Sequence, residues 1–470
     1  TYFKSPSTND SGTTGDPAGG NHEIGTITNG TTEDIFLVIG SNTSASAIFV
    51  NFGQDSQNVA SANADGNGIG TFEYAPPSGF LALCTSNLPD VTIGPGQSEQ
   101  ADDYFNTVLW TGNGTDGRTI TGVNFAADWV WVKSRSVARS HHLQDAVRGF
   151  NDGTKVLRSN ASSIESGVPS DQYGFVGTIN SDGYTLEDGT DGSSPNIFVN
   201  NNSETYVAWN WKAGGAPTAD NSAGVGATPT SGSVKIDGSN LGSALAGSIA
   251  ATRLSASTTS GFSVIKWVGN QTNSTLAHGL NSAPELVIVK SLAYSSGNWY
   301  TWNKDLTNNK VLFLNATNAE TSSASSFIEG DMAATTIGLG TERVTNGSSE
   351  DMLAYVFHSV EGYSKVGSYK GNGNADGPFV YTGFRPAWVI IKRADSTGSW
   401  NIADSVRSPD NEVDEQLQSN LSNAESTTFD FDFLSNGFKA RTTDSARNAS
   451  GGTYIYLAFA EAPFKFANAR

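Results

Sequence analysis

The 470-residue sequence has little of several residue types that particular classes of protein need. It has one cysteine, Cys84, so no disulfide can form within the chain, which excludes a small disulfide-stapled secreted domain. Only 16% of residues are charged, and 46 Asp and Glu outnumber 27 Lys and Arg. The resulting net charge of −19 argues against a nucleic-acid-binding surface, because phosphate binding needs clustered cations.

Long apolar runs and long helical patterns are also missing. The longest apolar stretches, such as IFLVIG at 35–40, are as long as a strand and far short of the about 20 residues that a membrane-spanning helix needs. No segment longer than about twelve residues repeats apolar side chains at helical spacing. No signal-peptide pattern is visible, and the sequence begins with Thr1 rather than Met, so we expect a fragment or a processed product of a longer polypeptide.

Turn residues and strand-forming residues are abundant instead. The 52 glycines, together with many Ser, Thr and Asn, predict tight turns between short strands. The stretches DWVWVK at 128–133 and AWVIIK at 387–392 show no polar alternation, which predicts strands that are buried on both faces. None of the ten tryptophans precedes Trp110, so residues 1–101 are expected to form a different module from the rest.

One hydrophobic hairpin pattern occurs three times at constant spacing. Each copy ends on a lysine and has a Gly-Asn pair 21 residues earlier: Gly112-Asn113 with Lys133, Gly269-Asn270 with Lys290, and Gly371-Asn372 with Lys392. Downstream, an Asn is followed five residues later by a Glu, as Asn160/Glu165, Asn315/Glu320 and Asn420/Glu425. This repetition predicts three related units of about 100 residues, the usual size of a domain.

We therefore predict an all-β, multidomain chain of antiparallel β-sandwich modules with a jelly-roll or concanavalin-like architecture. The predicted divisions are an N-terminal arm and partial β module at 1–101, repeat 1 at 102–213, a Gly/Ser/Ala-rich linker at 214–258, repeat 2 at 259–359, and repeat 3 at 360–470. The linker allows one short strand at 233–239. Repeat 2 lacks the D-x-V-R motif that the other two copies carry, so we expect it to act mainly as a spacer.

The repeated motifs resemble a domain family that recurs in tail-associated structural proteins of marine bacteriophages. The residues that carry the resemblance are YKGNGNADGPFVYTGFRPAWVIIKRADSTGSW at 369–400 and NASGGTYIYLAFAEAPFKFANAR at 448–470, with support from 104–135. Residues 51–89 are similar to the end of the SPRY-like modules that precede these domains in such proteins. The resemblance implies antiparallel sandwiches, and it implies the fold more firmly than the role.

The sequence offers few candidates for chemistry. Ser140, His141, His142 and Asp145 are close in sequence, but members of a catalytic triad must converge in space, and we interpret the stretch as a polar strand or loop. Oxygen-rich stretches at 63–68, 187–192 and 372–377 contain ligand types that Ca²⁺ prefers. Turn chemistry explains them without a metal, and none has the spacing of an EF-hand. We therefore predict a non-enzymatic protein without a cofactor.

Aromatic side chains are the remaining candidates for ligand or interface contacts. Trp110, Trp267 and Tyr369 each lie two residues before the glycine of a Gly-Asn pair, where we favour a core role over a contact role. Trp299 and Trp400 follow turns at matching places and are expected to be partly exposed.

The resemblance implies a virion structural protein, with a tail fibre or the tail tip as the favoured position. Such a protein would act in attachment to the host surface, as a homotrimer that contacts other virion proteins and a host glycan or envelope component. We expect no nucleic-acid partner and no insertion into a membrane. The alternatives are a capsid decoration or head-fibre protein, a bacterial surface adhesin or extracellular filament subunit, and a polysaccharide hydrolase as the enzymatic alternative.

Overall fold

The structure is a computed structural model, and it describes residues 2–3, 23–25, 62–72, 74–82, 87, 91–94, 97–165 and 172–462. The chain divides into two compact units, residues 1–90 and 91–470. In the first unit, strands β1 (Tyr2–Phe3) and β2 (Glu23–Gly25) pair antiparallel. Parts of the SPRY-like stretch at 51–89, including Cys84, lie outside the described residues.

The second unit contains one arrangement of strands three times. The strands of the first copy are β3 (Phe105–Thr111), β4 (Arg118–Thr121), β5 (Trp129–Ser134), β6 (His142–Asp145), β7 (Phe175–Asn180), β8 (Gly183–Glu187) and β9 (Thr205–Trp211). They form two antiparallel sheets with the orders β3-β9-β5-β6 and β4-β8-β7. Val130, Tyr184 and Tyr206 pack in the core between the two sheets, which makes this copy a sandwich.

The second and third copies repeat this strand order. The next strands are β10 (Val234–Ile236), β11 (Ser239–Asn240), β12 (Ala251–Ser257), β13 (Phe262–Val268), β14 (Ser274–Ala277), β15 (Leu286–Ser291), β16 (Tyr300–Asn303), β17 (Lys310–Phe313), β18 (Thr321–Ser322), β19 (Thr336–Leu339) and β20 (Asp351–Phe357). The third copy has β21 (Ser364–Lys370), β22 (Phe379–Tyr381), β23 (Pro386–Arg393), β24 (Trp400–Asp404), β25 (Val413–Gln418), β26 (Ser426–Leu434), β27 (Gly437–Ala440) and β28 (Thr453–Ala460). In every copy the last strand lies between two earlier ones: β9 lies between β3 and β5, β20 between β13 and β15, and β28 between β21 and β23.

The segment 214–258 contributes strands to the second copy. β12 pairs antiparallel with β13 along its whole length, and β10 lies parallel to β12. These strands extend a nine-stranded sheet, whereas the third copy folds its two layers into one continuous eight-stranded sheet. The second copy is therefore joined to the first by a structured insertion, whereas only residues 358–363 separate it from the third.

Helices are short in the described part of the chain. The α-helices are α1 (Arg343–Asn346) and α2 (Ser445–Asn448), and 3-10 turns occur at Ala101–Asp103, Gly153–Lys155 and Glu329–Asp331. None of these helices has the length and apolar character that crossing a membrane requires. The prediction of an all-β fold built from antiparallel sheets is confirmed.

The three copies pack on a common core. Trp129 of the first copy stacks on Tyr355 of the second, with ring centroids 4.3 Å apart. Phe459 of the third copy lies 5.0 Å from Phe105 and 6.1 Å from Phe357. β5 and β15 each face this shared core with one side and the core of their own copy with the other, whereas both sides of β23 belong to the shared core. That is why β5 is buried at every position, as its lack of polar alternation predicts.

Candidate binding site

The aromatic residues that precede the Gly-Asn pairs lie inside the sandwiches. Trp110 donates its indole N–H to the carbonyl of Val199 at 2.9 Å and stacks on Tyr206, with ring centroids 5.6 Å apart. Tyr369 donates its hydroxyl to the carbonyl of Arg447 at 2.7 Å, and Trp267 is fully buried. All three rings contact the protein's own core, which agrees with the core role that we favoured.

Trp299 and Trp400 are buried, so the expectation of partial exposure is wrong: their exposed fractions are 0% and 3%. The turns beside them are covered by a neighbouring copy. Trp299 Nε1 donates to the carbonyls of Arg158 and Ala161 in the first copy, at 3.0 and 3.1 Å. Trp400 Nε1 donates to the carbonyl of Phe313 in the second copy at 2.9 Å. Both residues are contacts between copies within one chain.

His141 occupies the corresponding position in the first copy and completes a ring of contacts. Its Nδ1 accepts from Trp131 Nε1 at 2.8 Å, so its Nε2 carries the proton and donates to the carbonyl of Gln418 in the third copy at 2.9 Å. The first copy thus contacts the third, the third contacts the second through Trp400, and the second contacts the first through Trp299. We call this arrangement of residues 105–211, 262–357 and 364–460 the three-copy ring. Head-to-tail contacts of this kind close when the rotation between copies permits.

A second set of contacts follows the same cycle. Tyr355 donates its hydroxyl to Asp145 Oδ2 at 2.9 Å, and Trp209 donates its indole N–H to Asp404 Oδ2 at 2.9 Å. In the third copy, Leu457 occupies the position of Tyr355 and has no hydrogen-bond donor. In the second copy, the neutral Asn303 occupies the position of Asp404. A carboxylate is therefore present only where a neighbouring copy supplies a hydrogen-bond donor.

Both carboxylates also bind arginine within their own copy. Asp145 pairs with Arg148 at 2.7 Å and Asp404 with Arg407 at 2.6 Å, and all four side chains are buried. The D-x-V-R motif therefore forms a structural ion pair. Because a buried charge is costly unless it is paired and hydrogen-bonded, the motif and the ring contacts depend on one another.

The stretch Ser140–Asp145 does not assemble a catalytic triad. Ser140 Oγ accepts from Asn160 Nδ2 at 3.3 Å, His141 is held by Trp131 and Gln418, and Asp145 is held by Arg148 and Tyr355. Burial lowers the pKa of His141 and of His142 to about 3, so both rings are neutral at physiological pH. The polar side chains of this strand serve the contacts between copies.

The three oxygen-rich stretches use their oxygens within turns. Asp65 Oδ1 accepts from the backbone N–H groups of Asn67 and Ile69. Asp191 Oδ1 accepts from those of Ser193 and Ser194 in the same way. In the third stretch, Asn372 Oδ1 accepts from the N–H of Asn374. Among the described residues, no group of three or more His, Cys, Asp and Glu side chains has the arrangement of a metal site.

A concave site lies where the first copy meets the insertion at 214–258. The pocket has a volume of about 380 Å³. Its lining includes the apolar side chains of Ala126, Ala127, Ala146, Phe150 and Ile179, together with residues 213–216 and 237–238. Asp128, Lys212 and Tyr104 bring polar groups into it. Pockets of this size and mixed lining are typical of small-molecule sites.

Asp128 is the most unusual group in this pocket, because only 4% of it is exposed. Its Oδ2 accepts from the N–H groups of Ala213 at 2.7 Å and Gly215 at 3.1 Å, and its Oδ1 has no hydrogen-bond partner among the described residues. Burial raises the pKa of Asp128 to about 6, against the lowering effect of the two N–H groups and of Lys212. The Lys212 ammonium lies 5.2 Å from the ring centroid of Tyr104. One acidic and one basic residue, Asp128 and Lys212, therefore line one small space.

The sequence did not mark this pocket. Asp128 lies directly before β5, in a stretch whose apolar residues predict a buried strand. The segment 214–258, which supplies other lining residues, has the composition of a linker. The counterpart of Asp128 in the second copy is Glu285, and in the third copy it is Ala387, so the repeat pattern does not single out an acidic residue there.

A comparison with family models identifies the family of the chain. A family model described as a domain of unknown function, DUF7483, matches residues 100–237 and 235–463. The first match covers the first copy and the start of the insertion, and the second covers both later copies. No curated protein matches the chain.

Proposed function

We propose that this chain, which belongs to the family of the domain of unknown function DUF7483, is a non-enzymatic structural protein of a bacteriophage particle. Its position is a tail fibre or the tail tip, where it contributes to attachment to the host surface. The observation that carries this proposal is the three-copy ring, in which the conspicuous polar residues of the repeat join the copies to one another. Such an arrangement serves a rigid scaffold that displays surfaces.

The proposal is supported by how the described titratable groups are used. Asp145 and Asp404 hold arginines and donors from the next copy, and His141 bridges two copies. Lys133, Lys290 and Lys392 are fully buried and donate to backbone carbonyls. These groups stabilise the fold and present no reacting atom to a substrate.

The partners in this proposal are other virion proteins and a glycan or other component of the host envelope. We also propose that the chain forms a homotrimer, because several weak sites on one assembly bind a surface more tightly than any single site. The net charge of −19 disfavours a nucleic-acid partner. The location of such a protein is the extracellular particle.

The proposal is tested by competition for adsorption. Host cells are first incubated with the purified chain. Phage particles from a lysate that contains the chain are then added, and the rate of particle adsorption is measured. An unrelated acidic β-sandwich protein at the same concentration is the control. We expect the chain to slow adsorption and the control to have no effect.

Each contrary result points to one of the alternatives. Particles that contain the chain but adsorb at an unchanged rate would favour a capsid decoration or head-fibre protein. A chain found on uninfected cells and absent from particles would favour a surface adhesin or filament subunit. Release of reducing ends from host polysaccharide would favour a hydrolase.

A further inference from the structure

We propose that the pocket beside Asp128 binds a small, neutral, hydroxyl-rich ligand with the size of one or two sugar rings. Its volume of about 380 Å³ lies near the lower end of the roughly 300–1,000 Å³ range of small-molecule sites. This inference names a class of ligand for the proposed attachment function. It rests on that function in one respect, namely that the ligand would come from the host surface.

The free oxygen of Asp128 is the first reason. A carboxylate oxygen that accepts no hydrogen bond from the protein can accept one from a ligand. Asp128 lines the pocket, and its Oδ2 has two backbone donors, whereas its Oδ1 has none among the described residues. A ligand hydroxyl that donates to Oδ1 would satisfy this atom with a strong, charge-assisted hydrogen bond.

The charges of the lining disfavour an anion, because two carboxylates and one ammonium group, Asp128, Asp237 and Lys212, line the pocket. Asp237 accepts from the Thr258 backbone N–H at 2.8 Å and from its hydroxyl at 2.6 Å. Lys212 offsets the charge of Asp128, so this pair needs no further counter-ion. A hydroxyl-rich molecule can donate to the carboxylate and accept from the ammonium group.

The walls fit the two-sided character of a sugar ring. Ala126, Ala127 and Ala146 are small and leave a broad apolar surface beside Phe150. The C–H face of a pyranose can lie against such a surface while its hydroxyls reach the polar groups. Residues 213–216 and 237–238 also line the pocket. This combination of an apolar lining with a few placed polar groups gives small-molecule sites their specificity.

In the other two copies, the residue at the position of Asp128 has no free carboxylate oxygen. Glu285, at the corresponding position, accepts from the Ser359 N–H and hydroxyl through Oε2 and pairs with Lys304 through Oε1 at 3.1 Å. Both of its oxygens are therefore occupied, and Ala387 of the third copy has no carboxylate at all. The unpartnered oxygen belongs to the place where the insertion meets the first copy.

Saturation-transfer NMR on the purified full chain tests the inference. The probes are D-glucose, D-galactose, D-mannose and lactose, with glycine as a zwitterion and spermidine as a cation. We expect saturable binding of at least one sugar. The exposed Ala216 lines the pocket, so Ala216→Trp should weaken that binding at least tenfold by filling the space.

Asp128→Asn should also weaken binding at least tenfold, because it removes the charge while its amide oxygen can still accept from Ala213 and Gly215. Ala324→Trp places the same side chain at an exposed alanine of the second copy and should leave binding unchanged. Equal circular dichroism and melting temperature establish that each variant is folded.

Three results would overturn the inference: no sugar binds, binding survives both pocket variants, or only glycine or spermidine binds. Its failure can be told apart from that of the attachment function. Sugar binding that Ala216→Trp abolishes, with no effect of the wild-type chain on adsorption, supports the pocket and contradicts the attachment role. The reverse pattern contradicts the pocket alone.

Discussion

At the scale of single residues, each Gly-Asn pair marks a close approach between two loops. A Cβ added to Gly112 would lie 1.9 Å from the carbonyl oxygen of Asn201, and one on Gly371 would lie 2.3 Å from that of Ala449. The asparagine that follows the glycine exchanges hydrogen bonds with a buried asparagine, as Asn113 does with Asn200 at 3.0 and 3.2 Å. The sequence spacing revealed these pairs, but their asparagine partners lie 87 residues away in the first copy and 76 in the other two, and no local pattern predicts them.

Gly112→Ala should therefore lower the free energy of unfolding by more than about 2 kcal/mol, because the backbone of Asn201 must move away. Gly192→Ala is the matched control, since a Cβ there meets nothing within 4 Å. Urea unfolding of both variants measures the difference. Equal stability of the two would contradict the close approach.

The contact of Tyr355 with Asp145 predicts an asymmetry between two buried tyrosines. Tyr355→Phe removes a donor from a buried carboxylate and should cost about 1.5–3 kcal/mol, as is usual for hydrogen bonds to charged groups. Tyr363 is equally buried, but its hydroxyl has no hydrogen-bond partner among the described residues, so Tyr363→Phe should leave stability unchanged or raise it. Thermal unfolding compares them, and a larger loss for Tyr363→Phe would be the contrary outcome.

The buried histidines predict sensitivity to acid. The pKa of His142 is about 3 in the folded chain, against an ordinary value of 6.5, so the folded state binds fewer protons than the unfolded state between these values. Its contribution to stability is complete above pH 6.5 and is lost as the pH falls toward 3. His142→Phe should lose less stability between pH 7 and pH 5 than the wild type in urea unfolding. Parallel pH profiles would exclude this role.

At the scale of elements, the sequence was most informative where burial is continuous and least informative in the insertion. The apolar runs of β5 and β23 predict strands, because both of their faces are covered. β12 reads ATRLSAS, with small and polar residues that local preference assigns to a linker. Its pairing with β13 comes from tertiary contacts, which no local pattern records.

Leu254 tests whether β12 is part of the core. Its side chain is fully buried, so Leu254→Ala should cost about 2–5 kcal/mol. Val225→Ala lies in the same insertion at an exposed position and should have almost no effect. Denaturant unfolding of both variants measures the contrast, and a neutral Leu254→Ala would mean that the segment is a linker after all.

At the scale of the whole molecule, residues 91–470 form one compact unit in which three copies share a core. The sequence predicts the copies, because their spacing is constant, but it does not predict that they interlock. Trp299 and Trp400 follow turns, and a residue beside a turn looks exposed until the neighbouring copy is placed over it. The pocket beside Asp128 escaped prediction for the same reason, since its lining residues are far apart in sequence.

Immunogold electron microscopy tests the proposal that this chain is an attachment protein of a phage particle. An antibody raised against residues 360–470 is applied to particles in a lysate that contains the chain, with pre-immune serum as the control. We expect gold on tail fibres or at the tail tip. Gold spread over the head, or found only on the surface of uninfected cells, would contradict it.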